Sequence, residues 1–295
     1  MTIQKTEVIS NRDARVLPIG FSMAMSPHPS VFSPLVFAGK LDEGINRLAG
    51  AGFDGVEISV RHADDLNPDW LDGRLAETGL VVSAFASGRL CLEESICLCD
   101  PRPACRKQVL EELTAIIKLA ARFNAPVIIG GVRGKLTGES TQRVVQRAGA
   151  VDTLRKCANV AKDLGIHLLL EPINRYETNF VNSAREGLDL LDEIGHPAVK
   201  LLLDTFHMNI EEADPCASVR QAGNLLGYVH FADNNRLSPG QGHINFRALV
   251  QTLAEIGFTG FISAEILPLP DDATALVQTG KFFHTLIDQK PVSII

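Results

Sequence analysis

Short apolar runs alternate with longer amphipathic stretches along the chain. Each run is too short for an isolated helix and is rich in Val, Ile, Leu or Phe, which is typical of a buried parallel strand. The stretches between them, such as CRKQVLEELTAIIKLAARF, place apolar residues at helical spacing with charges on the other face. The pattern predicts eight strands, at Val16–Ser22, Gly55–Ser59, Leu80–Ala86, Pro126–Gly130, His167–Glu171, Val199–Asp204, Gly227–Phe231 and Gly260–Glu265.

Eight β–α units in a chain of 295 residues predict an α/β fold, a single (β/α)8 TIM barrel. Several helices end in Gly just before the next strand, as in AKDLGIHLLLE, which suits a left-handed helix cap and a short loop. An open doubly wound sheet is the alternative, but no G-x-G-x-x-G follows the first strand. We expect residues 1–15 to form an N-terminal extension and residues 16–290 to form the barrel domain.

Composition narrows the range of partners. The formal net charge is −7, whereas a protein that binds the phosphate backbone of nucleic acids needs a basic face. No apolar stretch is long enough to predict a membrane span, and the polar start MTIQKTEVISNRDARV does not resemble a signal peptide, so a cytoplasmic location is expected. Four of the six Cys lie in CLEESICLCDPRPAC without paired C-x-x-C spacing, and we expect reduced, partly buried thiols there.

Four strands in the second half of the chain end in a residue that binds metals well. HLLLE ends in Glu171, VKLLLD in Asp204, GYVH in His230 and GFISAE in Glu265. Each follows the previous one by about one β–α unit, so we expect all four at the same level of the barrel. That level is the C-terminal rim, where the active sites of such barrels lie.

A divalent cation would explain this set. Three carboxylates that share a poorly solvated site repel one another and would otherwise take up protons. Two Glu, one Asp and one His form a set dominated by oxygen, which suits Mn²⁺, Mg²⁺ or Co²⁺ at least as well as Zn²⁺. The structural alternative is that each acid simply marks the place where a strand meets a loop.

Four segments carry a resemblance to a known family. EPINRYETN, LLLDTFHMNIEE, VHFADNNRLSPGQGHINF and FISAEI resemble the sugar isomerase/epimerase superfamily with the xylose-isomerase-like TIM barrel. Within it, the chain is most similar to keto-sugar 3-epimerases of the D-tagatose/D-psicose type and to the related keto-gluconate and keto-glycoside epimerases. The resemblance runs from Ala51 to Glu265, and the ADNNRLSPGQGH loop is closer to the keto-gluconate branch.

The resemblance implies an epimerase of a keto-sugar or keto-sugar acid. One divalent cation per subunit, Mn²⁺ first and Co²⁺, Mg²⁺ or Zn²⁺ otherwise, would stabilise the enediolate that forms when the proton next to the carbonyl leaves. Glu171 and Glu265 would be the catalytic pair, one removing the proton and the other returning one to the opposite face. The implied partners are a small sugar and other copies of the chain in a dimer or tetramer, without nucleic acid or membrane. The implied metal ligands are Glu171, Asp204, His230 and Glu265.

The resemblance also implies three substrate contacts, Glu177, His207 and Arg236. Each has a structural alternative. Glu177 would instead form an ion pair with Arg175, His207 would be a core histidine, and Arg236 would be a solvated loop arginine.

Other activities stay open at this point. The same ligands would serve an aldose–ketose sugar isomerase, and an inosose-type dehydratase would share the proton abstraction before expelling a hydroxyl. An endonuclease with several zinc ions would need more ligands early in the chain, where His28, Glu57 and His62 are too few for a cluster. A sugar-binding barrel without activity has no need of two acids beside one cation.

Four further residues have both a site and a structural interpretation. Glu57 ends the second strand and would be a pocket residue or a structural acid. His243 would line the barrel mouth or stabilise its loop. Arg133 and Lys135 follow the fourth strand and would reach an anionic group, such as the carboxylate of a keto-acid sugar, or form a solvated basic loop.

Overall fold

Eight parallel strands close on themselves in chain order in the computed structural model, which describes residues 18–30 and 33–288. The first strand pairs with both the second and the last, so the sheet has no free edge. The expected α/β class and single (β/α)8 barrel are therefore confirmed. The strands are β1 (Gly20–Met25), β2 (Gly55–Ser59), β3 (Val81–Ala86), β4 (Val127–Ile129), β5 (Leu168–Leu170), β6 (Val199–Asp204), β7 (Leu226–Phe231) and β8 (Phe261–Ala264).

Helices follow the strands around the outside of the barrel. In the described ranges these are α1 (Leu41–Gly50), α2 (Pro68–Thr78), α3 (Arg89–Glu94), α4 (Pro103–Arg122), α5 (Ser140–Asp163), α6 (Ala184–Ile194), α7 (Thr205–Glu211), α8 (Pro215–Ala222), α9 (Phe246–Glu255) and α10 (Asp272–Asp288). Neither the expected extension at 1–15 nor the barrel limits at residues 16 and 290 fall in the described ranges, so these boundaries stay predictions.

The first strand lies further along the chain than Val16–Ser22. It begins at Gly20, which pairs with Phe261 of β8, and it runs through Met25. Ser22 looked like a polar end to the strand. Its hydroxyl is instead buried inside the barrel, 3.1 Å from that of Tyr228. Val16 itself lies outside the described residues.

Two apolar regions stabilise the fold. The larger one fills the space between the strands and the surrounding helices, and the smaller one lies inside the barrel. The inner region consists of Ala84, Ile128, Leu169, Leu202 and Tyr228, which come from the five consecutive strands β3 to β7. The barrel is therefore a packed core whose C-terminal rim carries the polar side chains.

Arg133 is a buried clamp, so both expectations for it were wrong. It is 1% exposed and closes the short turn after β4. Its guanidinium donates to the backbone carbonyls of Gly130, Phe180 and Glu171, and burial lowers its pKa to about 10. The side chain thus stays charged at neutral pH and joins the β4 turn to the loop after β5.

We predict that Arg133→Ala lowers the free energy of unfolding by about 3–5 kcal/mol, because it leaves buried carbonyl groups without a donor. Chemical denaturation of the purified variant measures this loss. Lys135→Ala is the matched control: Lys135 is exposed, and its loss should change stability by less than about 0.5 kcal/mol. Equal stability of the two variants would contradict the role of Arg133.

Candidate metal centre and substrate cavity

Four polar side chains converge at the C-terminal rim. Glu171 directly follows β5, Asp204 is the last residue of β6, His230 lies in β7 and Glu265 directly follows β8. One ligand atom from each lies within 4.8 Å of the other three. The structure therefore brings together the four residues that the sequence proposes as ligands.

The imidazole of His230 is at the centre of this group. Its Nδ1 lies 3.2 Å from Glu171, 3.5 Å from Glu265 and 3.6 Å from Asp204. Burial alone would lower the pKa of His230, but the surrounding carboxylates, with Glu57 first, raise it well above the usual value. Nδ1 therefore faces all three carboxylates and carries a proton when no cation is bound.

Arg236 supplies the second positive charge. Its guanidinium donates to Asp204 Oδ2 at 2.6 Å and to Glu265 Oε2, and it lies 4.7 Å from the ring centre of Phe206. Burial opposes ionisation of Asp204, yet the charge of Arg236 holds the pKa of that carboxyl well below its usual range. Arg236 is thus neither solvated nor directed away from the four-residue group.

The two glutamates differ in their protonation. The pKa of Glu265 is raised to about 8, first by burial and then by repulsion from Glu171 and Asp204, despite Arg236. Burial also opposes ionisation of Glu171, but its hydrogen bond to His230 lowers the pKa below the usual value.

The four residues fit a divalent cation. Bonds from Mn²⁺, Mg²⁺ or Zn²⁺ to oxygen or nitrogen are about 2.0–2.2 Å long, so ligands on opposite sides of one ion are about 4.4 Å apart. The observed limit of 4.8 Å is only slightly wider. Hard oxygen donors with a single imidazole suit Mn²⁺ or Mg²⁺, and the charge of the ion would offset the repulsion between the carboxylates.

Glu57 orients His230 and does not line the cavity. It is fully buried in the middle of β2 and does not end the strand as expected; its Oε2 lies 3.0 Å from His230 Nε2 and accepts the hydroxyl of Tyr228 at 3.1 Å. A carboxylate on the outer nitrogen of a ligating histidine keeps the inner nitrogen free for metal. Tyr228 was not expected from the sequence, because only the barrel closure brings β7 to β2.

Asn174 links two of the expected substrate contacts. Its Nδ2 donates to His207 Nδ1 and to Glu177 Oε1, each at 2.8 Å. Burial lowers the pKa of His207, so the ring is neutral and its proton is on Nε2. The expected ion-pair alternative for Glu177 is wrong, since Arg175 pairs instead with Glu211 at 2.6 Å. His207 and Glu177 both line the cavity.

The loop after β7 positions the side chain of Arg236. The Asp233 carboxylate accepts the backbone N–H groups of Gly240, Gly242 and Ile244, at 2.8–3.2 Å, and so closes the loop around itself. Any side chain at Gly242 would collide with this carboxylate. Arg236 has a left-handed backbone, φ 61°, within this loop. The ADNNRLSPGQGH segment thus folds into a loop that holds the guanidinium of Arg236 in place.

A cavity of about 450 Å³ opens in front of the four-residue group. Among its lining residues are Glu177, His207, Arg236 and Lys135, whereas His243 is exposed on the loop and is not among them. One wall is formed by Cys91 and Cys97, which are joined in a disulfide. The expectation of reduced thiols was therefore wrong for these two, because the turn after α3 brings them together.

The early histidines do not form a second metal site. His28 pairs with Asp65 at 2.9 Å, and His62 lies between Glu94 and Glu112. Among residues 18–30 and 33–288, the four rim residues are the one group of metal-binding side chains close enough together to hold an ion. Within those same ranges no helix combines the length and the apolarity that a membrane crossing requires.

Gly130 offers a test of the cation site, because a Cβ at this position would collide with Glu171 Oε2. We predict that Gly130→Ala weakens Mn²⁺ binding at least about tenfold, as displaced ligand positions usually do. Calorimetric titration with Mn²⁺ measures the affinity. The control is Gly131→Ala, whose Cβ would make only an ordinary contact with Gly88, 3.5 Å away. Equal Mn²⁺ affinity in both variants would contradict the assignment of Glu171.

His62 is expected to stabilise the fold in a pH-dependent way. Its hydrogen bond to Glu112, the largest cause, raises its pKa to about 8 despite partial burial. The stabilisation is therefore complete below pH 6.5 and is lost as the pH rises through about 8. We expect His62→Gln to lower the free energy of unfolding at about pH 6. The loss should be less than about 1 kcal/mol, because solvent screens the pair. At about pH 9.5 the substitution should leave the free energy of unfolding unchanged. Denaturation at both pH values measures this; equal losses would contradict it.

Comparisons with known proteins agree with this architecture. The family described as the xylose isomerase-like TIM barrel matches residues 45–281. The L-ribulose 3-epimerase of Methylomonas sp. (strain DH-1) is 33% identical over 242 residues, 81% of this chain and 82% of the relative. The 3-dehydro-D-guloside 4-epimerase of Escherichia coli (strain K12) is 29% identical over 222 residues, 72% of this chain and 82% of the relative.

Among solved structures, a D-allulose 3-epimerase from Methylomonas sp. superposes with a TM-score of 0.77 at 26% identity, and covers 91% of this chain and 98% of its own. The residues matched by the family, 45–281, span the part of the chain that holds the four rim residues. With the closed barrel and the match over most of its length, the chain belongs to the xylose isomerase-like TIM barrel family.

Proposed function

We propose that this protein is a divalent-cation-dependent epimerase that inverts one carbon next to the carbonyl of a keto-sugar. The enzyme class predicted from the sequence, an isomerase of the epimerase type, is confirmed by the relatives. The observation that carries the proposal is the position of Glu171 and Glu265. They come from strands on different sides of the barrel, and both carboxylates lie within 3.5 Å of His230 Nδ1.

The cation would be held by Glu171, Asp204, His230 and Glu265, one per subunit, with Mn²⁺ as the proposed ion. Bound there, it would polarise the carbonyl of the sugar and stabilise negative charge that develops on its oxygen. The support for this step is the oxygen-rich ligand set and the distances among its atoms.

The two glutamates handle the proton. One carboxylate removes the proton from the carbon next to the carbonyl, and the other, carrying a proton, delivers it to the opposite face. Each keeps its position through a separate contact. The backbone carbonyl of Glu171 accepts a hydrogen bond from Arg133, and the carboxylate of Glu265 accepts one from Arg236. The same pair can act in either direction, which an epimerase requires.

Three side chains would orient the sugar. His207 presents its Nε2 proton as a donor, because Asn174 donates to the other ring nitrogen. Glu177 is half-exposed at the cavity edge and accepts from the same amide, which leaves one carboxylate oxygen for a sugar hydroxyl. Arg236, held against Asp204, would donate to oxygens close to the cation.

A cytoplasmic location and a dimer or tetramer complete the proposal. Disulfides are rare in cytosolic proteins, so the Cys91–Cys97 pair argues against this location. Exposed apolar side chains on α5, Val144 and Val145, are 67% and 66% accessible and would suit contact with another copy.

The test uses Mn²⁺-loaded protein, a panel of ketohexoses and keto-aldonates, and D₂O as solvent. We expect deuterium at one carbon of one substrate, with inversion there. Formation of an aldose would favour the isomerase alternative, loss of water the dehydratase, and the absence of any turnover would contradict the proposal.

Substitutions then test the catalytic pair. Glu171→Gln and Glu265→Gln should each lower kcat about 10²–10⁴-fold, because a fixed acid or base is lost. The matched control is Glu111→Gln on the exposed face of α4, which should retain the wild-type kcat. Retention of activity by either Gln variant would remove that glutamate from the mechanism.

A further inference from the structure

The cavity is lined by four lysine and arginine side chains, and three of them are already bonded. Arg89 donates to Glu93 and to the carbonyls of His28 and Pro29. Arg133 holds backbone carbonyls, and Arg236 holds Asp204 and Glu265. The fourth is Lys135, whose ammonium has no hydrogen bond or ion pair with any residue of the described ranges. The positive charge of Lys135 is therefore available to a ligand.

The backbone on both sides of Lys135 is fixed. The Gly134 carbonyl accepts the hydroxyl of Thr178 at 2.8 Å. Leu136 donates its N–H to Asn179 Oδ1 at 2.8 Å, and its carbonyl accepts the Asn179 amide at 2.9 Å. These bonds join the loop to the turn that carries Glu177. Lys135 is therefore presented by an anchored segment, and only its side chain is free to move.

The disulfide supports this loop from its other side. Gly134 has φ 72°, and a Cβ there would come within 2.7 Å of the Cys97 Cβ. The N–H of Cys99 donates to the Arg133 carbonyl at 3.0 Å. Packed between the Cys97 segment and the Thr178 turn, the loop cannot turn Lys135 away from the cavity without breaking these contacts.

The chemistry of a single ammonium favours one kind of ligand. A phosphate group is usually bound by several donors, such as a helix N-terminus, a backbone nest or an arginine fork. Here the neighbouring arginines are already occupied, so one unit of positive charge is available. A carboxylate, with one negative charge, matches it. A neutral sugar hydroxyl would leave that charge unused.

Building on the proposed function, we propose that Lys135 binds a carboxylate on the substrate, so that the preferred substrate is a keto-sugar acid, a keto-aldonate. The carbonyl end of the sugar lies at the four rim residues, and the acid end is directed to the loop after β4. Lys135 is thus a specificity residue and takes no part in the proton transfer. The cavity volume of about 450 Å³ is within the range of small-molecule sites.

The test compares three substrates on Mn²⁺-loaded protein: a ketohexose, the keto-aldonate of the same chain length and the corresponding ketose phosphate. Wild-type protein should show the highest kcat/KM with the keto-aldonate, and its KM should rise with added NaCl. Lys135→Gln should lower the ratio of keto-aldonate to ketohexose kcat/KM by about ten- to hundredfold, mainly through KM. Lys135→Arg, which keeps the charge, should restore part of that ratio.

The matched control is Lys162→Gln, an exposed lysine at the end of α5, which should leave the ratio at its wild-type value. An unchanged ratio in Lys135→Gln would overturn the proposal, and so would a preference for the ketose phosphate that depends on Lys135.

Calorimetric titration of the keto-aldonate separates this proposal from the proposed function. Wild-type protein should bind it about ten- to hundredfold more tightly than Lys135→Gln does, even if no substrate is turned over. Binding without turnover would contradict the epimerase and keep Lys135 as the carboxylate site. Equal affinity of the two proteins would overturn the role of Lys135 whatever the activity.

Discussion

Mutual repulsion among three carboxylates, two buried and one partly buried, is the constraint on which the rest of this barrel mouth depends. Glu171, Asp204 and Glu265 approach one another around the imidazole of His230, where little water can screen them. The protonated imidazole and the guanidinium of Arg236 offset only part of this negative charge. Such an arrangement is expensive in free energy for a purely structural role, and a divalent ion makes use of the same negative charge.

The surrounding residues hold this group in position rather than take part in it. Glu57 fixes the imidazole from below, through a pair that the closure of the barrel creates. Arg133 ties the backbone of Glu171 to the turn after β4, and Asp233 folds the loop that carries Arg236. The side chains at the cavity edge are thereby supported by a fixed backbone, which is what a positioned acid–base pair needs.

The strand ends could be predicted because each apolar run stops at a polar residue, so Glu171, Asp204 and Glu265 can be recognised from the sequence alone. Buried polar pairs could not be predicted in this way. Arg133 appears as a loop cation beside Lys135, and nothing in the pattern shows that its partners are carbonyl groups of the loop after β5. The same holds for Ser22, which reads as a strand end although its hydroxyl bonds across the barrel. Contacts between distant segments decide these cases.

The most direct measurement is anomalous X-ray diffraction from a crystal grown with Mn²⁺. We expect one strong peak per chain, about 2.0–2.3 Å from one atom of each of Glu171, Asp204, His230 and Glu265. A peak elsewhere, or a mouth in which Arg236 keeps its contacts with Asp204 and Glu265 and excludes the ion at saturating Mn²⁺, would contradict it.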